Sequence, residues 1–101
     1  MWILRATIGR RPRILRLPPG AGRTLGRSTT ADFVIDNALI SRVHCRLTAT
    51  EQQLVIEDLR STNGTFVNEA RIRLATLEAG DRVRVGQVEL SVSREQPRTA
   101  E

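Results

Sequence analysis

Gly26-Arg27, Ser41-Arg42-Val43-His44 and Ser61-Thr62-Asn63-Gly64-Thr65 hold the side chains best suited to chemistry in this 101-residue chain. Arg27 has a planar guanidinium that donates two parallel charge-assisted hydrogen bonds to an oxyanion. Ser41 and Thr62 add hydroxyl donors. Arg42 adds a second cation. Asn63 offers an amide donor and a carbonyl acceptor, which together suit an extended peptide backbone. An Arg, several hydroxyls and an Asn gathered on loops make an anion clamp. Such a clamp suits a phosphorylated side chain, with a charge of about −1.5 to −2 and three strong acceptor oxygens.

Each residue also has a plainer reading. Arg27 could pair with a neighbouring carboxylate. Ser41 could be an ordinary turn serine after Ile40, and Asn63-Gly64 a tight-turn pair. The lone histidine, His44, lies three residues after Ser41 and invites a hydrolase reading with Asp58. That reading has little support in the sequence: no Gly-x-Ser-x-Gly elbow is present, and Ser-x-x-His at a loop-to-strand junction does not itself put the imidazole on the hydroxyl. One His, one Cys and scattered carboxylates give no metal-ligand spacing. No catalytic residue, metal or cofactor is expected.

Composition narrows the class. The net charge is +5, and all sixteen cationic residues are Arg. Such a surface attracts acidic partners by long-range steering but does not select among them. It also raises an alternative, a basic nucleic-acid-binding domain. No nucleic-acid motif supports that reading, and Trp2, Phe33 and Phe66 are the only aromatic residues available to stack on bases. Specific nucleic-acid and membrane partners are therefore not expected. No apolar run approaches the ~20 residues of a membrane span. The arginines at 5, 10 and 11 interrupt the apolar start, which lacks the features of a signal peptide. The single cysteine, Cys45, rules out an internal disulfide framework and fits a small core residue. A cytoplasmic, monomeric protein is expected.

These side chains need a scaffold that brings distant loops together. Helical periodicity is nearly absent, and period-two alternation recurs in runs of four to eight residues with polar or Gly-rich punctuation. Strands are predicted at 2–7, 13–17, 24–26, 33–35, 43–48, 53–58, 65–67, 82–85 and 87–93. A short additional strand at 71–74 would follow a hairpin at 68–70. The best helix candidate, 75–79, is a single turn. Many short strands with close turns imply an all-β fold, an antiparallel two-sheet β-sandwich with an aliphatic core. The domain is expected to span 1–93, with 94–101 a polar tail or the start of a linker. Thr99 in that tail is a possible phosphorylation site.

With Gly26-Arg27, Ser41-Arg42-Val43-His44, the run from Ser61 to Asn68, and Leu77-Glu78-Ala79-Gly80-Asp81 in this order, the chain resembles the forkhead-associated (FHA) domain over nearly its whole length. The resemblance implies loops at one end of a sandwich that bind phosphothreonine in a partner from a Ser/Thr kinase pathway. It favours the phosphate role for Arg27. Arg27, Ser41, Arg42, Thr62 and Asn63 would form the phosphopeptide site. Gly26, His44, Ser61, Gly64, Thr65 and Asn68 would form its scaffold, with His44 bracing the loops. Leu39 resembles the position that reads the residue three places after phosphothreonine, and its apolar side chain suits an uncharged or aliphatic residue there. The function implied is that of a non-catalytic adaptor. A scaffold that keeps the fold and binds partners without phosphate is a further alternative.

The chain departs from many relatives at two glycine positions. Arg60 places another cation beside Ser61 and is a candidate specificity residue. Glu69 argues against a tight type I′ turn after Asn68.

Overall fold

The computed structural model describes residues 1–95, so Thr99 and most of the expected tail lie outside it. Its strands are β1 (Trp2–Ile8), β2 (Arg11–Leu17), β3 (Gly22–Gly26), β4 (Phe33–Val34), β5 (Cys45–Ala49), β6 (Leu54–Asp58), β7 (Thr65–Val67), β8 (Ala70–Ile72), β9 (Leu74–Leu77), β10 (Arg82–Val85) and β11 (Val88–Arg94). They form two sheets, one of six strands in the order β2-β1-β11-β10-β7-β8 and one of five in the order β4-β3-β5-β6-β9. The all-β sandwich is as expected. Every strand pairing is antiparallel except the short parallel contact of β3 with β4.

Alternation along the strands builds the core. In β5, Cys45, Leu47 and Ala49 are buried, while Arg46 and Thr48 are exposed. Leu4, Leu15, Leu17 and Leu90 of the larger sheet join Leu25, Leu47, Leu54, Ile56 and Leu77 of the smaller one in a single apolar cluster. Burying each such side chain contributes about 1.5–3 kcal/mol. The largest fully buried side chains are all aliphatic. Burial, and then the charge of Asp58, push the Cys45 thiol up to about 12, so it is an inert core group.

Three local expectations change. Residues 74–77 of the helix candidate and its flank form strand β9, paired with β6 so that Leu77 lies opposite Leu54. One turn of helix cannot offset its own nucleation, and pairing buries Leu77. The strand expected at 71–74 divides between the sheets, with β8 in the larger and β9 in the smaller. The turn after β7 is also tight. Val67 pairs with Ala70, and Asn68 and Glu69 have φ of 49° and 71°. Two positive φ values in a two-residue loop are the type I′ pattern. Asn68 holds the turn from outside: its Oδ1 accepts the Arg82 N–H and its Nδ2 donates to Asp81, both at 3.0 Å.

The final strand runs through Arg94, whose guanidinium lies 5.0 Å from the Trp2 ring centroid. At one rim of the sandwich, residues 27–32, 35–44 and 59–64 connect β3 to β4, β4 to β5 and β6 to β7. The turn at 86–87 joins them through Asn37, whose Oδ1 accepts the Gln87 N–H.

Candidate functional site

Strand β3 ends at Gly26 because no other residue fits there. A Cβ on Gly26 would lie 2.0 Å from the Arg42 carbonyl oxygen and 2.9 Å from the Val43 Cα. That close approach zips the end of β3 to the 41–44 segment. Arg27 N–H donates to the Ser41 carbonyl and Ser28 N–H to the Arg42 carbonyl, both at 3.0 Å, and His44 N–H donates to Leu25 at 2.8 Å. Arg27 Nε donates to the Ile40 carbonyl at 3.0 Å. This bond orients the guanidinium and leaves both terminal nitrogens for a ligand. The ion pairs among the described residues are Arg46–Glu57 and Arg82–Glu89, so none of the described carboxylates pairs with Arg27.

His44 joins this segment to the 59–64 loop. It is fully buried. Its Nδ1 accepts the Ser41 N–H at 3.0 Å, which leaves the ring hydrogen on Nε2 to donate to the Gly64 carbonyl at 2.9 Å. Both ring nitrogens are thus committed to backbone. The Ser41 hydroxyl oxygen accepts the Thr62 N–H at 3.0 Å and makes no bond to the imidazole. Ser41, His44 and Asp58 therefore do not form a hydrolytic triad. The Ser41 hydroxyl hydrogen remains for a ligand.

Asn63 Nδ2 donates to the Leu39 carbonyl at 3.0 Å. The amide nitrogen expected to meet a ligand thus ties two loops together, and Oδ1 is left facing outward as an acceptor. Thr62 and Asn63 are exposed, and Leu39 is 42% exposed.

Asp58 is a site residue that the sequence reading assigned no role. Its Oδ1 accepts from Ser61 Oγ at 2.5 Å and from Thr65 Oγ1 at 2.7 Å, and its Oδ2 accepts the Ser61 N–H at 3.2 Å. Ser61 Oγ in turn accepts the Gly64 N–H at 3.0 Å. One carboxylate therefore fixes both ends of the 59–64 loop. Burial pushes the Asp58 carboxyl up, but the hydrogen bonds from Ser61 and Thr65 outweigh it and hold the group below its ordinary value. The signal was an Asp three residues before a Ser, the spacing of a side chain that caps its own turn.

One rim thus brings together Gly26, Arg27, Leu39, Ser41, Arg42, His44, Arg60, Ser61, Thr62, Asn63, Gly64 and Thr65. Asn68 is not among them. It lies at the far end of β7, bonded to Asp81 and Arg82, so its scaffold role serves the opposite end of the sandwich. Among the described residues, no group of three or more His, Cys, Asp or Glu is placed to hold a metal ion, and no helix is long and apolar enough to cross a membrane.

The sequence model of the FHA domain family matches residues 23–86. The chain belongs to the FHA domain family. At the level of that family, the FHA domain is a non-catalytic binding module. This FHA domain is 49% identical over 74 residues to the ABC transporter ATP-binding/permease protein Rv1747 of Mycobacterium tuberculosis, a match covering 73% of this chain and 8% of that protein. Its fold matches that of an FHA domain solved in a structural and functional analysis of phosphothreonine-dependent FHA domain interactions. The TM-score is 0.80 at 34% identity, covering 95% of this chain and 97% of that one. It is also similar to Mycobacterium tuberculosis EmbR in complex with a low affinity phosphopeptide, with a TM-score of 0.80, 32% identity and coverage of 98% of this chain and 26% of that chain.

Proposed function

We propose that this FHA domain binds phosphothreonine in an extended segment of a partner protein and acts as a non-catalytic adaptor in Ser/Thr kinase signalling. One observation carries the reading. Arg27 is anchored through Nε to the Ile40 carbonyl, with its terminal nitrogens in no ion pair among the described residues, beside a Ser41 hydroxyl bonded to Thr62 N–H. Arg27 supplies the bidentate grip on phosphate, and the Ser41 and Thr62 hydroxyls add donors. Arg42 adds positive potential. Asn63 keeps its carbonyl for the peptide backbone, and Leu39 lies where a neighbouring peptide residue is read. Gly26, His44, Ser61, Gly64 and Thr65 hold the loops. The phosphothreonine-dependent interactions of a structural neighbour and the phosphopeptide bound to EmbR support this assignment.

The working unit in this reading is residues 1–93. The domain acts in the cytoplasm as a monomer, without a cofactor and without a specific nucleic-acid or membrane partner.

Calorimetric titration with a phosphothreonine peptide, its phosphoserine twin and its unphosphorylated twin tests the proposal. The phosphothreonine form binds tightest, and the unphosphorylated form does not bind measurably. A threonine methyl seated in a shaped pocket favours phosphothreonine over phosphoserine about tenfold or more. Equal binding of all three peptides defeats the proposal.

A further inference from the structure

The loop that carries Thr62 and Asn63 has cations on both sides. Arg27 and Arg42 lie on the β3 side. On the other side, Arg60 and Arg73 line one open concavity together with Glu57, Asp58 and Leu59. Arg71 lies against the same loop, with its Nε 2.8 Å from where a Cβ on Gly64 would stand. The Asp58 N–H donates to the Arg73 carbonyl at 2.8 Å, which fastens the Arg73 backbone to the base of the binding loop.

The two carboxylates in this concavity are already occupied. Glu57 pairs with Arg46 at 3.7 Å on the outer face of the smaller sheet. Asp58 accepts from Ser61 and Thr65. Neither forms an ion pair with Arg60 or Arg73. Both arginines are exposed, and neither forms an ion pair among the described residues. Arg60 also holds a φ of 56°, a left-handed conformation that is unfavourable for a non-glycine residue. Asp58 stays charged, but its oxygens are turned to Ser61 and Thr65, so the Arg60 and Arg73 guanidinium groups keep donors for an anion from outside the chain.

We infer that Arg60 and Arg73 form a second anion site, which reads an acidic or phosphorylated residue flanking the phosphothreonine on the same peptide. The inference rests on the phosphothreonine reading and makes its ligand class narrower: a phosphopeptide with a second negative side chain. At a solvent-exposed site each ion pair adds modest affinity. Two arginines acting together give a gain of about fivefold at low ionic strength. That gain shrinks with salt, as contacts between exposed charges are screened.

The test is a set of phosphothreonine peptides on an all-alanine background, with one glutamate moved through the three positions on either side, measured by fluorescence anisotropy at low salt. A second set replaces that glutamate by phosphoserine. One position, or two adjacent ones, binds about fivefold tighter than the all-alanine peptide, and phosphoserine there exceeds glutamate. Arg73→Gln erases the gain and leaves the all-alanine peptide at its parent affinity. Arg60→Gly erases the gain while relieving the strained backbone, so that variant remains folded. The inference is overturned if no flanking position exceeds alanine, or if the gain survives both substitutions; the all-alanine peptide then still binds and the phosphothreonine reading stands. Loss of binding to every phosphothreonine peptide by the parent protein overturns both.

Discussion

Arg27 is fastened to the Ser41 segment twice, by its backbone N–H to the Ser41 carbonyl and by Nε to the carbonyl of the preceding Ile40, each at 3.0 Å. The side chain is therefore oriented before any ligand arrives, and little rotamer entropy remains to be lost on binding. Arg27→Ala is expected to weaken a phosphothreonine peptide about tenfold to a hundredfold, the range for losing charged hydrogen bonds. Arg27→Lys keeps the charge but has neither the Nε anchor nor the two-pronged donor, so it falls between parent and alanine. Calorimetry reads both. Denaturant unfolding of the two variants should stay within about 0.5 kcal/mol of the parent, because the residue is exposed.

Gly26→Ala acts on the same junction from the backbone side. The new methyl would need to share space with the Arg42 carbonyl oxygen, 2.0 Å away. The end of β3 and the 41–44 segment must then separate. A stability loss of about 1–3 kcal/mol is expected, with loss of phosphopeptide binding from the folded fraction. A melting curve and a titration on one sample check both. Parent-like values in each would mean that the close approach does not organise the site.

Much of this junction was legible in the sequence, and what escaped has physical causes. Alternation located β5, β6, β10 and β11, because each buries one face only. The motif segments marked loops that share one rim. Asn68 was misplaced because a three-residue strand carries the chain from one rim to the other, so proximity to Thr65 in sequence is not proximity in the site. Strand β9 was not marked as one strand, its residues being split between a short strand at 71–74 and a single-turn helix candidate at 75–79, because its Leu-Ala-Thr-Leu run has no strong local preference and its pairing with β6 settles the outcome. Asp58 was overlooked as a loop organiser because its partners, Ser61 and Thr65, read as ligand-side or scaffold hydroxyls until their bonds to it are seen.

The position of Asp58 makes the binding loop acid-sensitive. Its folded carboxyl titrates below the ordinary 3.8, so the charged form is the one the fold favours. The stabilisation is complete above that ordinary value and is lost as pH falls through the lower folded value. The protection factor of the Gly64 amide, which is bonded to Ser61 Oγ, should therefore fall below about pH 4 while those of core amides hold. Asp58→Asn supplies a donor where Ser61 and Thr65 also donate. It should cost about 1–3 kcal/mol and flatten the acid limb of the stability profile. An unchanged acid limb in this variant would assign the transition to other carboxylates.

The type I′ turn of Asn68 and Glu69 gives a stability prediction independent of binding. Glu69 has a φ of 71° on an exposed turn. Glu69→Gly removes the steric cost of that conformation, partly offset by the greater freedom of glycine in the unfolded chain. A net gain of about 0.5–1 kcal/mol is expected in chemical denaturation, with phosphopeptide affinity unaltered because the turn lies at the opposite rim. A destabilised variant would show that the glutamate side chain contributes more than its backbone strain removes.

Asn63 separates loop tethering from ligand contact. Its Nδ2 donates to the Leu39 carbonyl, which ties the two loops that flank the proposed phosphate site. Asn63→Ala breaks the tether at an exposed position, so global stability should fall by less than about 1 kcal/mol. Loop entropy is then lost on binding rather than on folding, which should appear chiefly as faster peptide dissociation. Asn63→Asp also removes the donor, and it places a negative charge where a phosphate is expected. Affinity should therefore rank parent above alanine above aspartate. The gap between alanine and aspartate should narrow as salt rises, because it is a charge repulsion, whereas the gap between parent and alanine should not. Stopped-flow binding at two ionic strengths distinguishes the two gaps. Alanine and aspartate variants with equal affinity at low salt would place the phosphate away from Asn63.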